Sequence, residues 1–222
     1  AWSYEPWISK NSYETQAEAE AAMDGMQARD LHFGVIVLEA WKGHSGSGEF
    51  NRFSGERWPD AEAFLDRCVA EDVKVVLWQV PILHPTSPWF AEAEAKGSLV
   101  TDAEGQVSLR EEWLAGFGNI DFLKPEATSF WKDMLRPVVR MGIAGFKADD
   151  GEAIKPTDRL GHEGMPGWQA HNLYSTLYNR ATYEVFAEEG SDGMLWARSG
   201  SLGIEQSPAL WAGDQGATWE QM

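Results

Sequence analysis

Val35-Ile36-Val37-Leu38-Glu39-Ala40-Trp41 sets four apolar residues in a row and then turns polar and aromatic. An apolar run without period-two alternation is the pattern of a strand buried on both faces, as in a parallel sheet covered by helices. The pattern returns at Val75-Val76-Leu77-Trp78, within the segment from Lys74 to Leu83, and at Ile143-Ala144-Gly145-Phe146-Lys147-Ala148-Asp149. Gly193 to Arg198, Leu210-Trp211-Ala212-Gly213-Asp214 and a short aromatic run from Trp2 to Ile8 bring the strand units to about six.

Between these runs the sequence reads as helix. Thr15-Gln16-Ala17-Glu18 is a capping box that opens an Ala/Glu-rich helix to about Ala28. Pro59-Asp60 starts a second helix, with Phe64, Leu65, Cys68 and Val69 at helical spacing. A third runs from Pro125 to Met141 with Phe130, Met134, Leu135 and Val138 along one side, its last turn weakened by Pro137. A fourth spans His171 to Glu188, and Ser201 to Pro208 reads as a connection with one helical turn. Strands alternating with helices imply parallel crossovers and an α/β sheet. No Gly-x-Gly-x-x-Gly follows a strand and there is no P-loop, which counts against a nucleotide-binding open sheet.

The polar and aromatic residues gather where strands end: Glu39 and Trp41, Trp78, Lys147 and Asp149, Arg198, Trp211 and Asp214. In a TIM barrel those ends converge on one face, where the active site lies. The expected fold is therefore α/β, of (β/α)8 TIM-barrel type. With 222 residues against the roughly 250 of a full barrel, about the first six βα units are expected, as one partial barrel domain over residues 1–222. Residues 84–122 hold Pro85, Pro88, Gly97, Gly105, Gly116 and Gly118 and read as a long βα insertion with one short helix from Phe90 to Lys96. A loop of that length in a compact domain is functional or mobile. The Gly/Ser/His stretch from Lys42 to Gly55 is too polar for core.

Composition excludes some classes of function. A formal charge of -17 repels nucleic acid and anionic membrane, both polyanions, and suits a neutral substrate. No window carries the apolar run of a membrane helix, and the N-terminus does not read as a signal peptide. A cytoplasmic location is slightly favoured, with room for a segment preceding Ala1. The single cysteine, Cys68, excludes an internal disulfide framework and a Cys-based zinc site, and reads as a buried helix thiol. No His/Asp/Glu group has metal-ligand spacing, so no metal is expected, and no cofactor is expected either. His44, His84 and His162 lie in polar loops and are expected at the surface. The 12 tryptophans, Trp41, Trp78, Trp196 and Trp211 at strand ends among them, fit sugar-stacking faces and core plugs equally well.

Gly145-Phe146-Lys147-Ala148-Asp149-Asp150-Gly151-Glu152 sets three carboxylates in four positions directly after an apolar strand. Lys147 and Asp149 share one face at strand period two, so the lysine is expected to hold that carboxylate ionised. A solvated turn accounts for Asp150 and Glu152. A fixed, ionised carboxylate is what a glycosidase nucleophile requires. Asp214 is the second candidate, because a general acid needs a raised pKa, which burial beside Trp or a neighbouring carboxylate supplies. Two such groups about 5–5.5 Å apart make a retaining mechanism. Taken singly, a strand-end aspartate is more often a helix cap or a turn residue than a catalyst.

The stretch Gly145 to Glu152 resembles the nucleophile signature of glycoside hydrolase family 31, Gly-Phe-Lys-Thr-Asp-(Phe/Gly)-Gly-Glu. Ala197-Arg198-Ser199-Gly200 resembles its next strand motif, and Trp211-Ala212-Gly213-Asp214 its Trp-(Ala/Gly)-Gly-Asp acid/base motif. Val35 to Trp41, Val75-Val76-Leu77-Trp78-Gln79-Val80-Pro81 and His171-Asn172-Leu173-Tyr174 extend the similarity, in order, over essentially the whole chain. The resemblance implies a retaining, exo-acting α-glycosidase, with Asp149 as nucleophile and Asp214 as general acid/base. It implies that Arg198 hydrogen-bonds the sugar at the cleavage point and that Lys147, Trp78 and Trp211 line that subsite. Glu39 falls where many members carry an Asp that binds hydroxyls far from the scissile bond, and Trp41 completes the expected substrate contacts. Asp150 replaces the usual Phe or Gly, either solvated or in contact with Lys155. The family barrel has two more strands, one supplying a His, with a β-sandwich before it and β-domains after it, none of them within these residues.

The expected partner is a small α-glycoside: an α-glucoside first, an α-galactoside or α-xyloside as alternatives, with transglycosylation a variant of the same chemistry. A non-catalytic sugar-binding barrel fragment is the rival, and a nucleotide-binding α/β protein is disfavoured. Met165-Pro166-Gly167-Trp168 reads as a loop over the site or a packing element. Ser199 and Ser201 lack the strand–turn–helix context of a nucleophile elbow.

Overall fold

The apolar runs come together as one parallel sheet. The computed structural model describes residues 2–10, 12–42, 52–207, 209–216 and 218–221. Its strands are β1 (Trp7–Ser9), β2 (Val35–Leu38), β3 (Lys74–Gln79), β4 (Gly145–Ala148), β5 (Met194–Ala197) and β6 (Ala209–Leu210). The helices are α1 (Gln16–Gln27), α2 (Ala61–Ala70), α3 (Pro88–Ala95), α4 (Pro125–Arg140) and α5 (Gly167–Glu188). Strand order in the sheet is the order along the chain, and every neighbouring pair is parallel. A doubly wound sheet reverses its order at a switch point; this one never does, which is the topology of a barrel wound in one direction.

The two faces of the sheet differ accordingly. Ile36, Leu38, Val75, Leu77, Phe146, Ala148, Leu195 and Ala197 pack into one large core with Ala19 and Met23 of α1, Phe64, Leu65 and Cys68 of α2, and the buried sides of α4 and α5. The alternate residues Val35, Val37 and Val76 form a separate cluster with Trp2, Trp7 and Trp196. Among the described residues the helices pack on the first of these faces, and the other is the barrel interior.

Local chemistry fixes the helix starts. The Thr15 hydroxyl accepts from the Glu18 N–H at 3.3 Å, the Asp60 carboxylate from the Ala63 N–H at 3.1 Å, and the Ser87 hydroxyl from the Trp89 N–H at 3.3 Å. α4 runs through Pro137 to Arg140. α5 begins at Gly167 rather than His171, so Trp168 lies in its first turn and Met165–Pro166 pairs antiparallel with Arg159–Leu160. A Cβ at Gly167 would stand 1.9 Å from the Lys155 carbonyl oxygen, so only glycine lets the helix start against that backbone. Val69 is 71 % exposed, turned away from the face that buries Leu65 and Cys68.

The 84–122 insertion is more ordered than its glycines and prolines suggest. α3 leads into a small antiparallel sheet in which Ile82–Leu83 pairs with Gly118–Asn119, and Leu99 bridges to Ile120. Phe90, Leu99, Val100 and Ile120 anchor it in the main core. β6 is only two residues long; Trp211 still donates its N–H to the Ala197 carbonyl at 3.2 Å, while Ala212 to Asp214 lie past the strand. A 3-10 turn at Ile204–Gln206 precedes it. Residues 43–51, with His44, and Pro208 lie outside the described residues.

Candidate active site

Strand register assembles the site in rows. Trp78 of β3 pairs with Lys147 of β4, and Lys147 with Trp196 of β5. Period two turns all three away from the helices, because their neighbours Leu77, Phe146 and Leu195 face them. Glu39 follows β2 one residue beyond the Leu38–Leu77 pair and joins the same row. Two residues further on lie Asp149 after β4 and Arg198 after β5, with Trp211 after β6 beside them.

In the first row, Lys147 Nζ lies 2.6 Å from Glu39 Oε1 and stands over the indoles of Trp196 and Trp211, 5.5 and 5.3 Å from their ring centres. The partner of Lys147 is therefore Glu39, not the expected Asp149. Glu39 has its pKa raised: burial is the main cause, the Lys147 hydrogen bond opposes it, and the charges of Asp149 and Asp214 add to it.

Asp149 is buried, paired with one guanidinium and held by two hydrogen-bond donors. Arg198 Nη1 lies 3.0 Å from Oδ1, Trp78 Nε1 donates to Oδ2 at 2.8 Å, and the Asp150 N–H donates to Oδ1 at 2.8 Å. Together they fix the position of both carboxylate oxygens. The cation beside Asp149 thus comes from the neighbouring strand. Tyr178 of α5 fixes the strand ends from behind: its hydroxyl lies 3.1 Å from the Gln79 carbonyl and 3.2 Å from that of Asp149. Burial first, then the nearby Asp149 and Asp150 charges, push its pKa well up and keep it a donor.

Arg198 is the hub. Its Nε and Nη2 hold Glu152 in a fork at 3.1 and 3.0 Å, which leaves Nη1 for Asp149 and, at 3.3 Å, for Asp214 Oδ2. Burial works against its charge, but the Glu152 hydrogen bonds and the charges of Asp149, Glu152 and Asp150 outweigh it, and the guanidinium pKa rises. Glu152 is therefore an Arg198 partner rather than a free turn residue. Asp214 has a side chain 85 % exposed; the expected burial beside Trp211 is absent, because it lies past the end of a two-residue edge strand.

Asp150 departs furthest from its expected place. It is neither solvated nor paired with Lys155, which pairs with Glu111 instead. Asp150 is 2 % exposed, pairs with the buried Arg110 of the insertion, and has φ of 63°. Gly151 follows at φ 94°, where a Cβ would meet Ser199 Oγ at 2.3 Å, so glycine is required for the turn to pass beneath Ser199.

The remaining candidates separate. Trp78 and Trp211 are half-buried at the site. Trp41 is fully buried, with its indole N–H on the Trp78 carbonyl at 2.8 Å, which makes it a strut behind Trp78 rather than a surface for a sugar. Trp113, unmarked in the sequence reading, is 49 % exposed and meets Trp78 edge-on at 6.3 Å between centroids. It lines a cavity of about 460 Å³ with Arg110, Glu152, Lys155 and Arg198. Nothing in local sequence marks Arg110, Trp113 or Tyr178, since their partners lie far along the chain. His84 is half-buried against Phe117 rather than free in solvent; His162 is exposed and faces Glu126 at 3.0 Å. Among the described residues no group of three His, Cys, Asp or Glu side chains is arranged to hold a metal, and no helix is long and apolar enough to cross a membrane.

Comparison with known proteins agrees with this geometry. The model of the glycosyl hydrolases family 31 TIM-barrel domain matches residues 1–222. The α-xylosidase XylQ of Lactiplantibacillus pentosus is 34 % identical over 91 % of this chain, and an α-xylosidase of Emericella nidulans 30 % identical over 100 %. The chain spans 27 % and 29 % of the length of those two relatives. Among solved structures, a cycloalternan-degrading enzyme from Trueperella pyogenes in complex with isomaltose superposes with a TM-score of 0.87 at 26 % identity, over 99 % of this chain and 35 % of that one. The rows of strand-end residues on a singly wound parallel sheet, and the match along the full chain, make this protein a member of glycosyl hydrolase family 31, in its TIM-barrel domain.

Proposed function

We propose that these residues form the catalytic centre of a retaining α-glycosidase that removes a terminal α-linked sugar. The observation that carries the reading is the sharing of Arg198 Nη1 by Asp149 and Asp214. Contact with one guanidinium nitrogen keeps the two carboxylates close together, as a retaining pair about 5–5.5 Å apart requires.

In this reading the Asp149 carboxylate, held by Trp78, the Asp150 N–H and Arg198, attacks the anomeric carbon and forms a glycosyl ester. Asp214 gives its proton to the departing oxygen. It then takes a proton from water, whose oxygen displaces Asp149 and restores the carboxylate. Lys147, Glu39, Trp78 and Trp211 form the floor and walls for the sugar. The substrate is a pyranose of gluco or xylo configuration. The two α-xylosidase relatives favour an α-xyloside over the α-glucoside first expected, a difference of one hydroxymethyl group. A panel of nitrophenyl α-xyloside, α-glucoside and α-galactoside with the full-length protein tests this. Fastest turnover of the xyloside, lost in Asp149→Ala, is the expected result; turnover undiminished in that variant overturns the assignment.

A further inference from the structure

The geometry points to Arg110 and Asp150 as a positioning pair for the nucleophile, through which the 84–122 insertion sets the orientation of Asp149. The proposal rests on Asp149 being that nucleophile.

The pair is built into the protein rather than lying on its surface. The two side chains are 6 % and 2 % exposed, and Arg110 Nη1 meets Asp150 Oδ2. The other oxygen, Asp150 Oδ1, accepts the N–H groups of Gly151 at 2.7 Å and Glu152 at 3.3 Å. This carboxylate therefore closes its own turn and is tied down from outside by the insertion. The turn needs the tie. Asp150 sits at φ 63°, a region that non-glycine residues occupy at a cost. In that conformation its N–H donates to Asp149 Oδ1 at 2.8 Å.

A second path leads from Arg110 to the other oxygen of Asp149. The Arg110 guanidinium lies 5.6 Å from the Trp113 ring centre, Trp113 packs edge-on against Trp78, and the Trp78 indole donates to Asp149 Oδ2 at 2.8 Å. Both neutral donors on Asp149 thus trace back to one arginine, in a closed ring of contacts: Arg110, Asp150, Asp149, Trp78, Trp113. Arg110 itself is held by a tight backbone loop, its N–H on the Phe117 carbonyl at 2.9 Å and its carbonyl taking the Gly116 N–H at 2.8 Å. A buried pair 40 residues apart in sequence that ends on both faces of one carboxylate has a simpler use in orientation than in stability. Buried pairs are weak stabilisers, and their best-attested role is to select one arrangement.

The test uses the full-length protein, an aryl α-glycoside and a fluorinated α-glycosyl fluoride that traps the ester. Arg110→Lys keeps the charge and loses the planar fork. The double variant R110M/D150G removes both charges together, so no lone charge is buried, and glycine accepts the left-handed turn. In each, the expected result is a fall in kcat and in trapping rate of about 10–100-fold, the scale of a small misplacement of a reacting group, with KM within about two-fold. Parental kcat and trapping rate in a folded variant overturn the proposal, and so does a loss confined to KM. If the double variant fails to fold, Arg110→Lys decides alone by the same two outcomes. Label that falls on a residue other than Asp149 in the parent is a separate failure, that of the nucleophile assignment.

Discussion

Asp149 and Asp214 share a single guanidinium nitrogen, Nη1 of Arg198, which lies 3.0 Å from one carboxylate and 3.3 Å from the other. The sharing is possible because Glu152 occupies the remaining two nitrogens of the guanidinium and fixes its plane. Lysine, with a point charge on a flexible stem, cannot reproduce that fork.

Arg198→Lys in the full-length protein is therefore expected to lower kcat/KM by about 10²–10³-fold, the range for losing one preorganised donor at a reacting centre. Steady-state kinetics on an aryl α-glycoside checks it. Glu152→Gln should give a smaller loss in the same direction, since it loosens the plane without removing the guanidinium beside Asp149.

Trp78→Phe keeps an aromatic wall and removes the N–H that Asp149 Oδ2 accepts. A hydrogen bond to a charged group contributes about 1.5–3 kcal/mol. The expected effect is a fall of about ten-fold or more in kcat, with a lowered melting temperature as well.

Much of the fold could be read from sequence because its strands are buried on both faces. Val35 to Leu38 appears in the structure with the bounds its apolar run suggests, and Thr15 and Asp60 cap the helices they were expected to open. What escaped was set by neighbours across the sheet. Period two places Lys147 on the face of Asp149 but says nothing of Glu39, two strands away, which takes the lysine instead. Asp150 reads as a turn residue until Arg110, 40 positions earlier, is folded over it. Trp41 and Trp78 look alike in sequence, yet one is a fully buried strut and the other meets the nucleophile.

Gly151→Ala forces a Cβ to within 2.3 Å of Ser199 Oγ at a φ of 94°. Backbone strain of this kind costs about 1–3 kcal/mol, before any repacking of Ser199 and Tyr178. Thermal unfolding should show a lowered melting temperature, and activity should fall beyond the loss of folded protein because the turn carries Asp149.

Burial pushes the Cys68 thiol up to about 12, with the Glu71 charge adding to the effect. Cys68 should therefore resist a thiol reagent such as iodoacetamide in the native protein, and its peptide should carry label by mass spectrometry only after unfolding. Rapid labelling of the Cys68 peptide in the folded protein would contradict its buried position in α2.

Glu39 has a pKa above its ordinary 4.5, chiefly from burial. A carboxyl raised on folding contributes stability that is fully present below its unfolded pKa and lost as pH rises through the folded value. The melting temperature of the parent relative to Glu39→Gln should therefore fall as pH rises from about 4 and level off once Glu39 is ionised. A difference that grows with pH would show that Lys147 and not burial controls Glu39.

The most direct test of the central claim is the site of covalent capture. Incubation of the full-length protein with a fluorinated α-glycosyl fluoride, followed by proteolysis and mass spectrometry, should find one fluoroglycosyl group on Asp149 and none in Asp149→Ala. Label on Asp214, Glu39 or another carboxylate, or undiminished turnover by Asp149→Ala, would contradict the account.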